Sequence, residues 1–280
     1  MDYAKEFKVE PNGKVELDKI DANYKGEDDK DSSQDTIAKY VQRLLGLQYL
    51  MYAENKRSLL IILQGMDAAG KDGLINHVIS AMNPQGCRVF GFKSPSVREQ
   101  AHDYLWRIHY ATPPKGFVTI FNRSHYEDVL VVRVHNLVPK EVWSRRYEEI
   151  NAFERLLANY GTHILKFYLH IDKEEQLARF KQRLDDPNRH WKISEFDYKE
   201  REYWNDYQKA FEDAISKCST EYAPWYIIPS NRKWFRNLTV SQILVDTLES
   251  LNMKFPAPTV NIAEIKKKYH AALRQEEKNS

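Results

Sequence analysis

Cysteine is nearly absent from this 280-residue chain, with Cys87 and Cys218 its only two. Two thiols cannot build a disulfide framework, and a reducing cytoplasm is the expected setting. No apolar run approaches the roughly 20 residues of a membrane span, and the first residues lack the basic-then-apolar order of a secretory signal. No two of the nine histidines have zinc-site spacing. A dominant charge is missing too: 42 Lys and Arg face 40 Asp and Glu, a net of +2. No global field therefore draws the chain to nucleic acid or to a membrane, and a polyanion would have to be held by a local basic cluster. There is no repeat and no Gly/Ser linker. What remains is ordinary globular material, 42% apolar and 12% aromatic, enough for one substantial core.

Residues 1–36 are polar, with the acidic stretch Gly26 to Asp31 and no usable periodicity, and read as an arm or partly ordered lead-in. Beyond them apolar patterns alternate. Helical spacing runs from Ile37 to about Glu54, and Leu59–Leu63 is a short continuous apolar run, as in a strand buried on both faces. Helices are expected over Lys71–Met82, Arg98–Tyr110, Pro139–Tyr160, Lys173–Leu184, Phe196–Lys217 and Leu238–Leu251, with a charged helix or tail over 259–280. Strands are expected at Arg88–Phe92, Phe117–Phe121, His163–Ile171 and Trp225–Ile228. Strands separated by helices imply a parallel, doubly wound α/β domain over 37–258, in three layers α/β/α.

The sharpest motif follows the first strand: Gly65-Met66-Asp67-Ala68-Ala69-Gly70-Lys71-Asp72. Two glycines with four residues between them and then Lys, between a strand and a helix, form a phosphate-binding P-loop. The glycines let backbone N–H groups converge on a phosphate, the helix N-terminus adds a favourable dipole, and Lys71 adds a full charge. Gly65, Ala68, Ala69 and Gly70 are thus candidate substrate contacts, and Asp67 and Lys71 candidate catalytic groups. Asp72 stands where a hydroxyl usually binds magnesium; it is either a substrate and metal contact or a helix-capping acid. A second cluster, Asn122-Arg123-Ser124-His125-Tyr126-Glu127-Asp128, follows the strand Phe117–Phe121. It offers a cation, Arg123, and carboxylates for a metal, as phosphoryl transfer requires. His125 either reacts or only orients the loop; His77 and His163 read as structural.

Together with Trp191-Lys192-Ile193-Ser194, Asp197 and Trp204, these motifs resemble the polyphosphate kinase 2 family in family order, over roughly residues 35–255. The form Asn-Arg-Ser-His-Tyr-Glu-Asp is similar to the class III subgroup, which phosphorylates both nucleoside monophosphates and diphosphates. The resemblance implies a P-loop kinase fold with a helical lid at about 187–211, Mg2+ held by Asp67, Glu127 and Asp128, and a substrate contact at Asn122. It further implies that Arg179, with Arg123, is a catalytic cation neutralising developing charge, and that Arg179, Arg183, Arg189 and Lys192 line a polyphosphate channel, although charges at such spacing otherwise read as a solvated face. Expected partners are inorganic polyphosphate and AMP, ADP and ATP, with guanine nucleotides as further candidates, in a homo-oligomer. The rival readings are an ATP-dependent kinase of the same fold and a non-catalytic polyanion-binding protein.

Overall fold

The chain, described over residues 1–279 in a computed structural model, builds one five-stranded sheet with strand order β2-β3-β1-β4-β5. The strands are β1 (Ser58–Gln64), β2 (Cys87–Gly91), β3 (Val118–Asn122), β4 (Thr162–His170) and β5 (Trp225–Pro229), and every pairing is parallel. All seven residues of β1 and all five of β5 are buried. Successive side chains of a strand point to opposite faces, so both faces of the sheet are covered by helices, as the continuous apolar runs predict.

Register decides where the site forms. Leu63 of β1 lies opposite Asn122 of β3, so both strands end level and their outgoing loops emerge side by side. The N–H of Arg123 closes the pair by donating to the carbonyl of Leu63 at 3.1 Å. In an open parallel sheet this carboxyl edge, where the chain departs to opposite sides, is the place for a ligand.

Several expected helices are shorter than their apolar spacing. The stretch Arg98–Tyr110 divides into Val97–Gln100 and Trp106–Tyr110, because Asp103 folds its carboxylate back onto the N–H of Leu105. Pro139–Tyr160 divides into Lys140–Trp143 and Arg146–Asn159; the Arg145 side chain takes the Glu141 carbonyl that a continuing helix would bond through its backbone. Lys71–Met82 relaxes after Leu74 into one wide turn over Ile75–Ile79.

Residues 1–36 are ordered and packed against the domain. Tyr3 and Leu17 are buried in the core, and Val9 donates to the Trp225 carbonyl, so the first residues cover the open edge of β5. The acidic stretch ends in an N-cap, with the Asp29 carboxylate accepting from the N–H groups of Asp31 and Ser32 at the head of the helix Lys30–Glu54. Of the expected lid, residues 187–202 stand exposed as a short 3₁₀ run (Pro187–Lys192) and the helix Glu195–Glu202. The helix Trp204–Cys218, by contrast, buries Phe211 and Ile215 in the core. A helix over Ile262–Asn279 ends the described chain.

Candidate functional site

The loop after β1 is shaped by two glycines. A side chain on Gly65 would meet the Leu169 carbonyl at 2.8 Å, and one on Gly70 would collide with the Arg236 guanidinium. Gly70 also has φ +105°, a conformation that L side chains rarely adopt.

The loop is held from behind. Gln176 Nε2 donates to the carbonyl of Asp67 at 2.9 Å, Arg179 Nη1 to those of Ala68 and Ala69 at 2.8 Å each, and Arg236 Nη1 to that of Gly70 at 3.1 Å. A trans peptide points its N–H opposite its C=O, so tying back these carbonyls turns intervening N–H groups toward the cavity in front, except that of Ala69, which donates to the Met66 carbonyl at 3.0 Å. Arg179, expected as a polyanion contact, spends these donors on the loop and also borders the basic cavity beside it. Its remaining donors go to Glu175, Ser230 and Asn231, and it is buried; it is a strap behind the phosphate cradle.

Lys71 Nζ donates to the Gly65 carbonyl at 2.7 Å. Burial, and then the charge of Arg123, lower its pKa from 10.5 to about 8. The ammonium is therefore poorly compensated until an anion arrives.

Arg123, at φ +64°, turns back across the loop so that its Nη2 meets Asp67 Oδ1 at 2.8 Å and its Nη1 meets Glu127 Oε2 at 3.4 Å. Such left-handed geometry is uncommon outside glycine and concentrates at functional positions. Gln64 fixes the other oxygen of Glu127 at 3.1 Å. Asn122 Nδ2 donates to Asp72 Oδ1 at 2.8 Å, bracing the end of β3 against the P-loop helix.

Asp67 and Glu127 thus converge on one guanidinium, and their hard oxygens suit a divalent metal that takes its other ligands from phosphates and water. Asp128 pairs with Arg146 Nη1 at 3.3 Å, and burial pushes its carboxyl up to about 6. Among the described residues no three acidic, His or Cys side chains form a ready-made metal cage.

His125 has no access to the cavity. It is wholly buried, 3.2 Å from Glu154 Oε1, and Glu154 also takes a proton donor from Tyr126 at 2.9 Å and from Lys166 at 2.5 Å. This buried cluster anchors the loop that carries Arg123 and Glu127. Burial lowers the pKa of His125, which favours its neutral form.

Two cavities flank the Asp67–Arg123 pair. One, of about 640 Å³, is basic: Lys71, Arg123, Arg183, Arg189, Lys192 and Lys233 line it, with Asp67 and Asp72 as its acids. Arg179, Arg183, Arg189 and Lys192, the cations expected to meet polyphosphate, all border this cavity, and so do Lys233 and Arg236, which sequence reasoning missed. Their signal was position, since both lie just past the carboxyl end of β5. His77, read as structural, is exposed on the wall of the same cavity. The other, of about 620 Å³, is walled by Phe92, Leu130, Phe196, Trp204, Tyr207 and Phe211, with Gln100, Arg107, Glu200 and Arg201 as polar groups. Of the neighbouring aromatics Trp204 reaches this cavity, whereas Trp191 is exposed and Tyr203 rests on His135.

A sequence model of the family described as polyphosphate kinase 2 matches residues 27–256. An AMP/ADP-polyphosphate phosphotransferase of Meiothermus ruber is 51% identical over 256 residues, 91% of this chain and 96% of the relative. An ADP-polyphosphate phosphotransferase of Rhodopseudomonas palustris is 44% identical, with 91% of this chain and 93% of the relative covered. Among solved structures, polyphosphate kinase 2 from Arthrobacter aurescens superposes with a TM-score of 0.93 at 39% identity, over 97% of both chains.

Proposed function

Because this chain belongs to the polyphosphate kinase 2 family it is a phosphotransferase, and we propose that it moves the terminal phosphoryl group of polyphosphate onto AMP and ADP. The carrying observation is the pair of cavities that meet at Asp67 and Arg123. A linear polyanion fits the basic cavity, where fixed cations neutralise successive phosphates. A nucleoside fits the aromatic cavity, where a base can be stacked and desolvated. In-line transfer at the junction needs positioning and charge neutralisation more than covalent chemistry.

Mg2+ fits the two convergent carboxylates, Asp67 and Glu127, and would neutralise charge on the phosphates when bound. Arg123 positions these carboxylates, Lys71 and the loop amides hold the donor phosphate, and Asn122 holds Asp72 on the donor side. AMP as an acceptor is supported by the likeness to the AMP/ADP-polyphosphate phosphotransferase of Meiothermus ruber.

The test is product analysis with polyphosphate and each of AMP, ADP, GMP and GDP, free of nucleoside triphosphate and adenylate kinase. ADP is expected from AMP and ATP from ADP. Product formation that requires added ATP would overturn the reading in favour of an ATP-dependent kinase.

A further inference from the structure

We propose that Lys93 is a further catalytic residue, its ammonium neutralising the phosphoryl group as it crosses between the two cavities. The proposal rests on the reading of those cavities as donor and acceptor sites. Asp67, Phe92, Lys93 and Arg123 are the residues that line both, which places Lys93 at the crossing point.

Its backbone is anchored although its side chain is exposed. The N–H of Phe92 donates to the Asn122 carbonyl at 3.1 Å, extending the β2–β3 pairing by one residue. The Phe92 ring packs edge-on against Phe121 at 4.9 Å, and Arg107 Nη1 donates to the Lys93 carbonyl at 2.8 Å. A lysine on such a mount carries its charge to one place while keeping a mobile tip.

The side-chain charges alone leave the junction short of a cation. At the junction Asp67 and Glu127 bring two negative charges, and Arg123, bonded to both, brings one positive. Lys71 lies on the basic side only and is bonded to the Gly65 carbonyl. Among the described residues the Lys93 ammonium has no hydrogen-bond or ion-pair partner, so its charge is free to meet substrate. In the transfer, the bond from the terminal phosphorus to the bridging oxygen breaks, and its electron pair stays on the shortened polyphosphate. A bond forms from the same phosphorus to a terminal oxygen of the nucleotide, and no proton need move. The phosphoryl group is least bonded midway, where a cation contacting it lowers the barrier without tightening either ground state.

Steady-state kinetics of wild type, Lys93→Ala and Lys93→Arg test this, with ADP binding measured separately by calorimetry. Lys93→Ala is expected to lower kcat by about a hundredfold, with the KM of both substrates and ADP affinity little changed. Lys93→Arg is expected to recover part of the loss. A Lys93→Ala enzyme with wild-type kcat, whether or not its KM for polyphosphate rises, would overturn the proposal. The ratio is read with whichever phosphoryl donor supports wild-type turnover, so failure of polyphosphate as donor is seen in the wild type alone.

Discussion

At the scale of single residues the site is a set of charges held slightly out of balance. Lys71 illustrates this, because folding lowers its pKa from 10.5 to about 8. A lowered lysine pKa means that charging it costs the free protein stability at neutral pH, a cost relieved as pH rises from about 8 toward 10.5. A bound phosphate offsets the same cost, so the strain favours ligand. We expect kcat/KM to fall as pH rises through about 8, where the free enzyme loses the Lys71 charge. Lys71→Ala should cost about a hundredfold or more in turnover without unfolding the chain. A pH profile flat to pH 10, or a folded Lys71→Ala variant with near-normal turnover, would remove Lys71 from the reaction.

Among elements, the helices Lys173–Asp185 and Lys233–Ser250 and the 3₁₀ run Pro187–Lys192 bring their cations to one cavity. Arg179 and Arg236 border it while their guanidinium groups hold loop carbonyls, whereas Lys192 and Lys233 border it without holding the loop. Sequence spacing does not distinguish Arg179, which is buried and bonded to the loop, from Arg183, four residues further along the same helix and bonded to the Lys192 carbonyl. The two classes should separate by salt. Lys192→Gln should flatten the dependence of log KM for polyphosphate on log salt, by about 0.7 for one lost phosphate contact, taking single-stranded nucleic acid as the guide. Arg179→Met should instead lower the melting temperature, since it leaves the buried carbonyls of Ala69 and Ser230 without this donor, at about 1–3 kcal/mol each. Equal salt slopes for wild type and Lys192→Gln would mean that this charge faces solvent alone.

For the whole molecule, the opening segment closes the sheet. Tyr3 and Phe7 pack on Phe235, and residues 8 and 9 pair with the edge of β5. An uncovered parallel edge invites pairing with other chains. Deleting residues 1–9 should therefore lower the melting temperature and promote aggregation, seen by light scattering, while kcat per folded molecule stays near wild type. A truncated chain as stable as the full one would show that the segment merely rests on the sheet. None of this was visible in a polar sequence without periodicity, because the few apolar residues that matter, Tyr3, Phe7 and Leu17, have no regular spacing.

Local chemistry alone determined the five strands, the P-loop and the acidic and basic character of the loop after β3. A run such as Leu59–Leu63 can only be buried, and glycines at 65 and 70 ahead of Lys71 have few other uses. Helix lengths were less legible, because a single side chain such as Asp103 or Arg145 can capture a backbone group and stop a turn that apolar spacing would continue. What the tertiary structure decided is which charges meet. Arg179 reaches Ala68 from 111 residues away, and Asp67 meets Arg123 across 56. Asp128 pairs with Arg146, and Lys93 is set between two cavities that no linear pattern encloses. Interaction energy between such groups depends on distance and burial, and both are properties of the folded chain.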